Sequence, residues 1–227
     1  MPSYKLEKQI DIYNSVPKII DYDINLFPFG EIIAQSLEVD LDDLINLHKI
    51  KNHELQKLGS DQNTIWHKRY YAKQNDQMIP MVKKFVTWIK DLFNIDGQLI
   101  FQKKPTFRIH EVGNLGVGAW HRDRDYNHDT NEVNIWVPLT PTYDTNTIWT
   151  ETEVYKEDFQ PMELSYGQFL LFDGANLMHG NKINNTKTTR VSFDLRIIPI
   201  EKYRESGKDT VNKQERFEIG SYFDVIE

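Results

Sequence analysis

The chain has no cysteine among its 227 residues, which removes disulfide frameworks, thiolate zinc sites, iron–sulfur clusters and cysteine nucleophiles together. Any metal must be held by His, Asp or Glu. Positive charge is also scarce: 27 Lys and Arg stand against 34 Asp and Glu, for a formal net charge of -7. A net anion is not drawn to nucleic acid or to an anionic membrane surface, so neither is expected as a partner. No stretch approaches the roughly 18 uncharged apolar residues of a membrane helix. The opening from Met1 to Ile10 carries Lys5, Glu7 and Lys8 and lacks the apolar run and cleavage site of a secretory signal. The expectation is a soluble cytoplasmic protein. In that setting the Asn184-Asn185-Thr186 sequon carries no weight.

Several catalytic motifs are missing too. A phosphate-binding loop ending at Gly207-Lys208 needs a glycine at position 202, which is Lys202. Gly113, Gly116 and Gly118 have the wrong spacing for a dinucleotide fingerprint and read as turn glycines. There is no nucleophile elbow and no His-Glu-x-x-His helix.

What is present divides into two patterns. To about Ile95 the chain reads as helical. Leu41, Leu44, Ile45, Leu47 and His48 step along one face behind Asp40, Asp42 and Asp43, which suits a helix start near Asp40. Met78, Met81, Val82, Phe85, Trp88, Ile89 and Phe93 form a second stripe, read as core packing, with Pro80 in its first turn. From Gln98 the period changes to two. Candidate strands are Leu99–His110, Val117–Asp123, Glu132–Leu139, Thr147–Thr152, Gln168–Phe172 and Thr188–Ile198. Short strands with no helical pattern between them imply an antiparallel sandwich or barrel. No linker-like tract separates the patterns. The chain is read as one domain, mainly β: a helical support region over 1–97, a barrel over 98–200, and over 201–227 a charged loop with Phe217–Ile226 returning to the body.

His121 and Asp123 are two apart on an extended segment and leave the same face, so they can share an ion. His179 follows the apolar run Phe169–Phe172 and the turn Asp173-Gly174-Ala175-Asn176. Two imidazoles and one carboxylate make the 2-His-1-carboxylate set of non-haem Fe(II) oxygenases, which leaves positions open for reactants. Further on, Val191, Phe193, Leu195 and Ile197 alternate with Arg190, Ser192, Asp194 and Arg196. Such a charged face looks either at water or into a polar site. An Arg with a Ser two residues on suits a carboxylate, typically worth about 1.5–3 kcal/mol when shielded from water.

His121-x-Asp123, His179 and Arg190-x-Ser192, in that order, resemble the Fe(II)/2-oxoglutarate-dependent dioxygenase superfamily, in particular its phytanoyl-CoA dioxygenase-like branch. Phe107-Arg108, the run Gly118 to Asp123, the run Asn134 to Thr140, Asn146 to Trp149, and Phe172 to Asn176 with His179-Gly180-Asn181 are similar to the StrG-type proteins of streptomycin biosynthesis clusters. The likeness spans about Pro105 to Pro199. It implies a double-stranded β-helix, a jelly-roll or cupin-like barrel. It also implies Fe(II) on His121, Asp123 and His179, and 2-oxoglutarate held by Arg190 and Ser192, with O2 as oxidant. Asn134 shares a strand face with Trp136 and is assigned to cosubstrate or substrate. The implied reaction releases succinate and CO2 and oxidises a small sugar, cyclitol or other secondary-metabolite intermediate, hydroxylation being the default. Asp123 argues against a halogenase, which lacks this carboxylate.

Around this centre the assignments stay open. Arg108 and His110 share a strand face and serve either cosubstrate or substrate. Asp125, Tyr126 and His128 either edge the substrate mouth or form a polar loop; Asp125 and His128 with His121 and Asp123 also make a rival local metal cluster, ranked below the triad. Trp120, Trp136 and Trp149 are a sugar-stacking platform or core. Asp173 and Asn176 either orient His179 or simply form the turn. His48, His53 and His67 are read as ordinary exposed histidines. The rival function is a cupin-like metal-binding protein or isomerase without oxygenase activity.

Overall fold

The alternation of Arg190–Pro199 controls the architecture, because this strand is buried on both faces along its whole length. The computed structural model describes residue 12 and residues 17–50, 64–74, 76–116, 119–211 and 215–227. Before the barrel come β1 (Lys18–Asp21), α1 (Phe29–Leu37), a 3-10 helix (Leu41–Lys49), α2 (Ile65–Lys73) and α3 (Met78–Leu92). Then follow β2 (Leu99–Gln102), β3 (Thr106–His110), β4 (Val133–Pro138), β5 (Ile148–Thr150), β6 (Gln160–Pro161), β7 (Gln168–Phe172), β8 (His179–Asn181), β9 (Arg190–Pro199) and β10 (Phe223–Ile226).

Every pairing between these strands is antiparallel. The large sheet has the order β1-β7-β4-β9-β2-β10, with β3 also on β9, and the small sheet runs β6-β5-β8. An isolated bridge from His121 to His179 extends the small sheet by one segment. From β3 to β9 the chain therefore alternates between sheets: β3 large, His121 small, β4 large, β5 and β6 small, β7 large, β8 small, β9 large. This is the double-stranded β-helix, mainly β with N-terminal helices.

The outward face of β9 carries Val191, Phe193, Leu195 and Ile197 into the main core, shared with all three α-helices. Phe29 of α1 meets Phe193 edge-on at 4.9 Å, Tyr70 of α2 stacks on Phe107 at 4.4 Å, and Phe85 of α3 meets Phe169 at 5.4 Å. Full burial of such side chains stabilises by about 1.5–3 kcal/mol each. The helices thus brace the outside of the large sheet and leave its other face to the barrel interior. A separate cluster of Trp136, Ile148, Met162, Leu164, Leu170 and Phe172 fills the apolar half of that interior.

Several elements differ from expectation. Leu99–His110 splits into β2 and β3 around Lys103-Lys104-Pro105, where proline has no N–H for a ladder. Val117–Asp123 does not form a strand: His121 makes a single bridge and a 3-10 helix begins at Asp123, while residues 117 and 118 lie outside the described ones. The element behind Asp40 is a 3-10 helix and not an α-helix. β1 interrupts the helical half because Lys18–Asp21 pairs with distant β7, Lys18 opposite Leu171. Residues 223–226 do return to the body, with Phe223 opposite Gln102. His67 is fully buried against Phe107 and Thr64 Oγ1, not exposed; His48 is part-buried on Thr189 Oγ1; His53 lies outside the described residues. Among the described residues no helix is long and apolar enough to cross a membrane.

Candidate metal centre

His121 and His179 face each other across the small sheet. Each backbone N–H donates to the other's carbonyl at 3.0 Å, which fixes the two Cα atoms as a hydrogen-bonded pair. Their ring centroids are 4.5 Å apart. His121 Nδ1 donates to Ala119 O at 2.9 Å and His179 Nδ1 donates to Leu177 O at 3.0 Å. A carbonyl only accepts, so each Nδ1 carries a proton, and in the neutral imidazole the Nε2 lone pair is the one left for the site. Asp123 Oδ1 lies 3.4 Å from His121 Nε2 and 3.6 Å from His179 Nε2. One donor atom from each residue falls within 4.8 Å of the other two, the spacing a single divalent ion needs. Burial pushes the His179 imidazole down, against the opposing Asp123 charge, which favours the neutral, ligating form. Burial opposes ionisation of Asp123, but the Arg196 guanidinium overrides it and holds the carboxyl well below its usual range.

The other oxygen of Asp123 is fully engaged. Oδ2 accepts from Arg196 Nε at 3.1 Å, Arg196 Nη2 at 2.8 Å and Asn134 Nδ2 at 2.7 Å. Arg196 Nη1 also donates to Asp194 at 2.7 Å and to Gln102 at 3.1 Å, and Arg108 Nε donates to Asp194 Oδ1 at 3.1 Å. Arg196 and Asp194 continue the strand face of Arg190 and Ser192, but no motif in the sequence points to them or to Gln102. Two glycines make room here. A Cβ at Gly174 would sit 2.6 Å from Asn134 Nδ2, and one at Gly180 would sit 2.8 Å from the Trp120 ring.

One cavity collects these groups: His121, Asp123, His179, Asn134, Trp136, Arg108, Arg190, Asp194 and Arg196 line it, with Ile148 and Phe172 as apolar wall. Arg190 is buried; its Nη1 donates to Asn146 O at 3.0 Å and Asn181 Oδ1 at 2.7 Å, and its guanidinium lies 5.6 Å from the Trp136 ring centre. Ser192 is fully buried and is not among the residues lining the cavity, and its Oγ has no hydrogen-bond partner among the described residues. A buried cation next to a hydroxyl with unused capacity suits a carboxylate.

The remaining candidates separate. Tyr126 is exposed and packs edge-on against His121 at 5.1 Å. Trp136 is interior wall. Trp149 is not part of the cavity: it points out of the small sheet under Lys182 Nζ at 3.1 Å, so the three tryptophans do not share a platform. Asp125 caps the Asp123–Tyr126 turn through Arg122 N–H, and His128 pairs with Glu132 at 2.6 Å, so the rival cluster does not assemble. Asp173 and Asn176 bond each other as a turn. Asn176 also accepts from Arg122 Nε and Arg124 Nη1, and so holds the His121–Asp123 segment. A buried pair that sequence reasoning missed does the same from the other side. Arg122 Nη2 meets Glu151 at 3.1 Å, and Glu151 also accepts Met178 N–H at 2.7 Å, next to His179.

His110 does not line the cavity. It is fully buried between Asn114 O at 2.8 Å and Asn146 O at 3.4 Å, and burial with the nearby Arg190 charge pushes its pKa down to about 3. The unfolded chain takes up this proton first, near pH 6.5, so stability is present above that pH and lost as pH falls. By pH 5 the loss from this group is about 2 kcal/mol. Melting curves of wild type and His110→Gln from pH 7.5 to 5 should show a shallower acid slope in the variant; parallel slopes would refute the assignment.

No protein-family model matches the chain. The streptomycin biosynthesis protein StrG of Streptomyces griseus is 35% identical over 207 residues, which cover 90% of this chain and 96% of the relative. The chain belongs to the StrG family. Among solved structures, the StrG-type chain resembles the nickel complex of ThoJ, a non-heme monooxygenase, with a TM-score of 0.46 and 17% identity over 88% of this chain and 81% of that one. AviO1 from Streptomyces viridochromogenes Tue57 matches with a TM-score of 0.45 and 14% identity over 83% and 92%. A prolyl hydroxylase from Trichoplax adhaerens, in complex with a hypoxia inducible factor peptide fragment, gives 0.43 and 14% over 84% and 87%.

Proposed function

We propose that this StrG-type protein is a non-haem Fe(II)/2-oxoglutarate-dependent oxygenase of the phytanoyl-CoA dioxygenase-like branch. Its substrate is a small sugar, cyclitol or related intermediate of secondary-metabolite biosynthesis. The observation that carries the reading is the convergence of His121 Nε2, His179 Nε2 and Asp123 Oδ1 at a cavity whose wall also presents the buried Arg190. Iron and 2-oxoglutarate, when bound, supply O2-dependent oxidative decarboxylation coupled to oxidation of a substrate C–H bond. The chain's own part is positional. His121, Asp123 and His179 hold the metal from one side and leave the other open. Arg190 binds the distal carboxylate of 2-oxoglutarate, with Ser192 Oγ as the neighbouring donor. Trp136, Ile148 and Phe172 keep water from that end of the cavity. Tyr126 and Trp120, exposed near the two histidines, offer faces to a polyhydroxylated substrate at the mouth.

Anaerobic titration of the metal-free protein with Fe(II) and then 2-oxoglutarate tests this. A weak visible charge-transfer band of the chelated keto acid should develop and saturate at one equivalent of iron. Iron binding with no band at saturating 2-oxoglutarate would remove the cosubstrate from the reading.

A further inference from the structure

The geometry points to Arg196 and Asn134 as a clamp that confines Asp123 to metal coordination through one oxygen, and so keeps one coordination position free for reactants. The inference rests on the reading of His121, Asp123 and His179 as a metal site. A carboxylate offers about four lone-pair directions, two on each oxygen. On Asp123 the Oδ2 side is taken by three donors, two from Arg196 and one from Asn134, at 2.7 to 3.1 Å. Only Oδ1 faces the two Nε2 atoms. A metal drawing on Oδ2 as well would have to break charge-assisted hydrogen bonds inside a buried network, where each is strong.

Both clamp residues are themselves held. Arg196 is buried and braced by Asp194 and Gln102. Asn134 is opposite Arg196 in the β4–β9 register and packs over Gly174, where no side chain intrudes. Its Oδ1 is buried with no hydrogen-bond partner among the described residues, so the contact of Nδ2 with Asp123 is what orients the amide. Neither residue is placed as a ligand. Both act through Asp123 and are positioning residues.

Co(II) is the probe, because its visible absorption changes with coordination number and it needs no O2 or cosubstrate. Metal-free wild type, Asn134→Ala, Arg196→Lys and His179→Ala are titrated with Co(II), and metal-free melting curves report the fold. The clamp predicts that Asn134→Ala and Arg196→Lys bind Co(II) about 10–100-fold more weakly than wild type. Their visible bands should be altered, as an Asp123 carboxylate that has lost part of its Oδ2 clamp can turn and change its coordination. Arg196→Lys keeps the charge but loses the two-pronged grip. If that variant does not melt cooperatively, Asn134→Ala decides alone, since it leaves the Arg196 ion pairs in place. Folded variants with wild-type affinity and an unchanged band overturn the clamp. Wild type that fails to bind Co(II), no better than His179→Ala, overturns the metal-site reading instead.

Discussion

Replacing His179 with alanine is expected to weaken divalent-metal binding by at least ~10²-fold, because removing a donor atom costs more than losing an outer hydrogen-bond partner, which alone costs about 10–100-fold. The backbone of position 179 keeps its two hydrogen bonds to His121 in the variant, so the small sheet should remain closed. The void left beside Phe172, whose ring meets the imidazole at 5.3 Å, opens toward the cavity and not into the helical core. Fold and metal binding are therefore separable. Equilibrium dialysis with Mn(II), alongside a melting curve, reads both, and succinate release should vanish with the metal. A folded variant with wild-type Mn(II) affinity would sink the triad.

Arg190→Ala should do the opposite: keep the metal and lose 2-oxoglutarate. Arg190 donates to Asn146 O and Asn181 Oδ1, neither of which belongs to the proposed metal-ligand set. Truncating one partner of a buried, hydrogen-bonded charge pair costs about 2–5 kcal/mol, roughly 30-fold to several-thousand-fold in Kd. The charge-transfer titration should accordingly shift to far higher 2-oxoglutarate, with the iron stoichiometry unchanged. Arg190→Lys should fall between, since an ammonium retains charge without the planar fork. A band that develops at wild-type concentrations in Arg190→Ala would place the distal carboxylate elsewhere.

The parts of this molecule that were legible in the sequence are those with a local rule behind them. The alternation of Arg190 to Arg196 declares a polar face, whereas the strand expected over Val117–Asp123 shrinks to one bridge at His121 before a 3-10 turn, and it is that turn which brings Asp123 Oδ1 to 3.4 Å from His121 Nε2. The 15-residue helix Met78–Leu92 was visible because a long amphipathic stripe repeats its signal. Elements that depend on a distant partner were not visible. Lys18–Asp21 is a strand only because β7 is beside it, and His121 is sheet only through His179. Partnership was hidden in the site as well. Glu151 has no motif around it, yet it joins Arg122 to the backbone before His179. Arg196 had a visible place on the strand and no visible purpose until Asp123 appeared against it. His110 was misread for the same reason: strand parity places a side chain on a face, but it does not say how far along the barrel the cavity extends.

Gly174 and Gly180 set a limit on how this chain can diverge. Neither has a left-handed backbone, so it is not conformation that demands glycine there. It is the 2.6 Å to Asn134 and the 2.8 Å to Trp120 that a methyl group would have to share. Alanine, the mildest replacement a single codon change can offer, would press at one position on the amide that holds Asp123 and at the other on the indole beside the mouth. Descendants of this sequence are free to rebuild the loops around the opening. The two small residues flanking His179 leave almost no neutral path, and a lineage that crossed them would have to re-seat Asn134 or Trp120 in the same step.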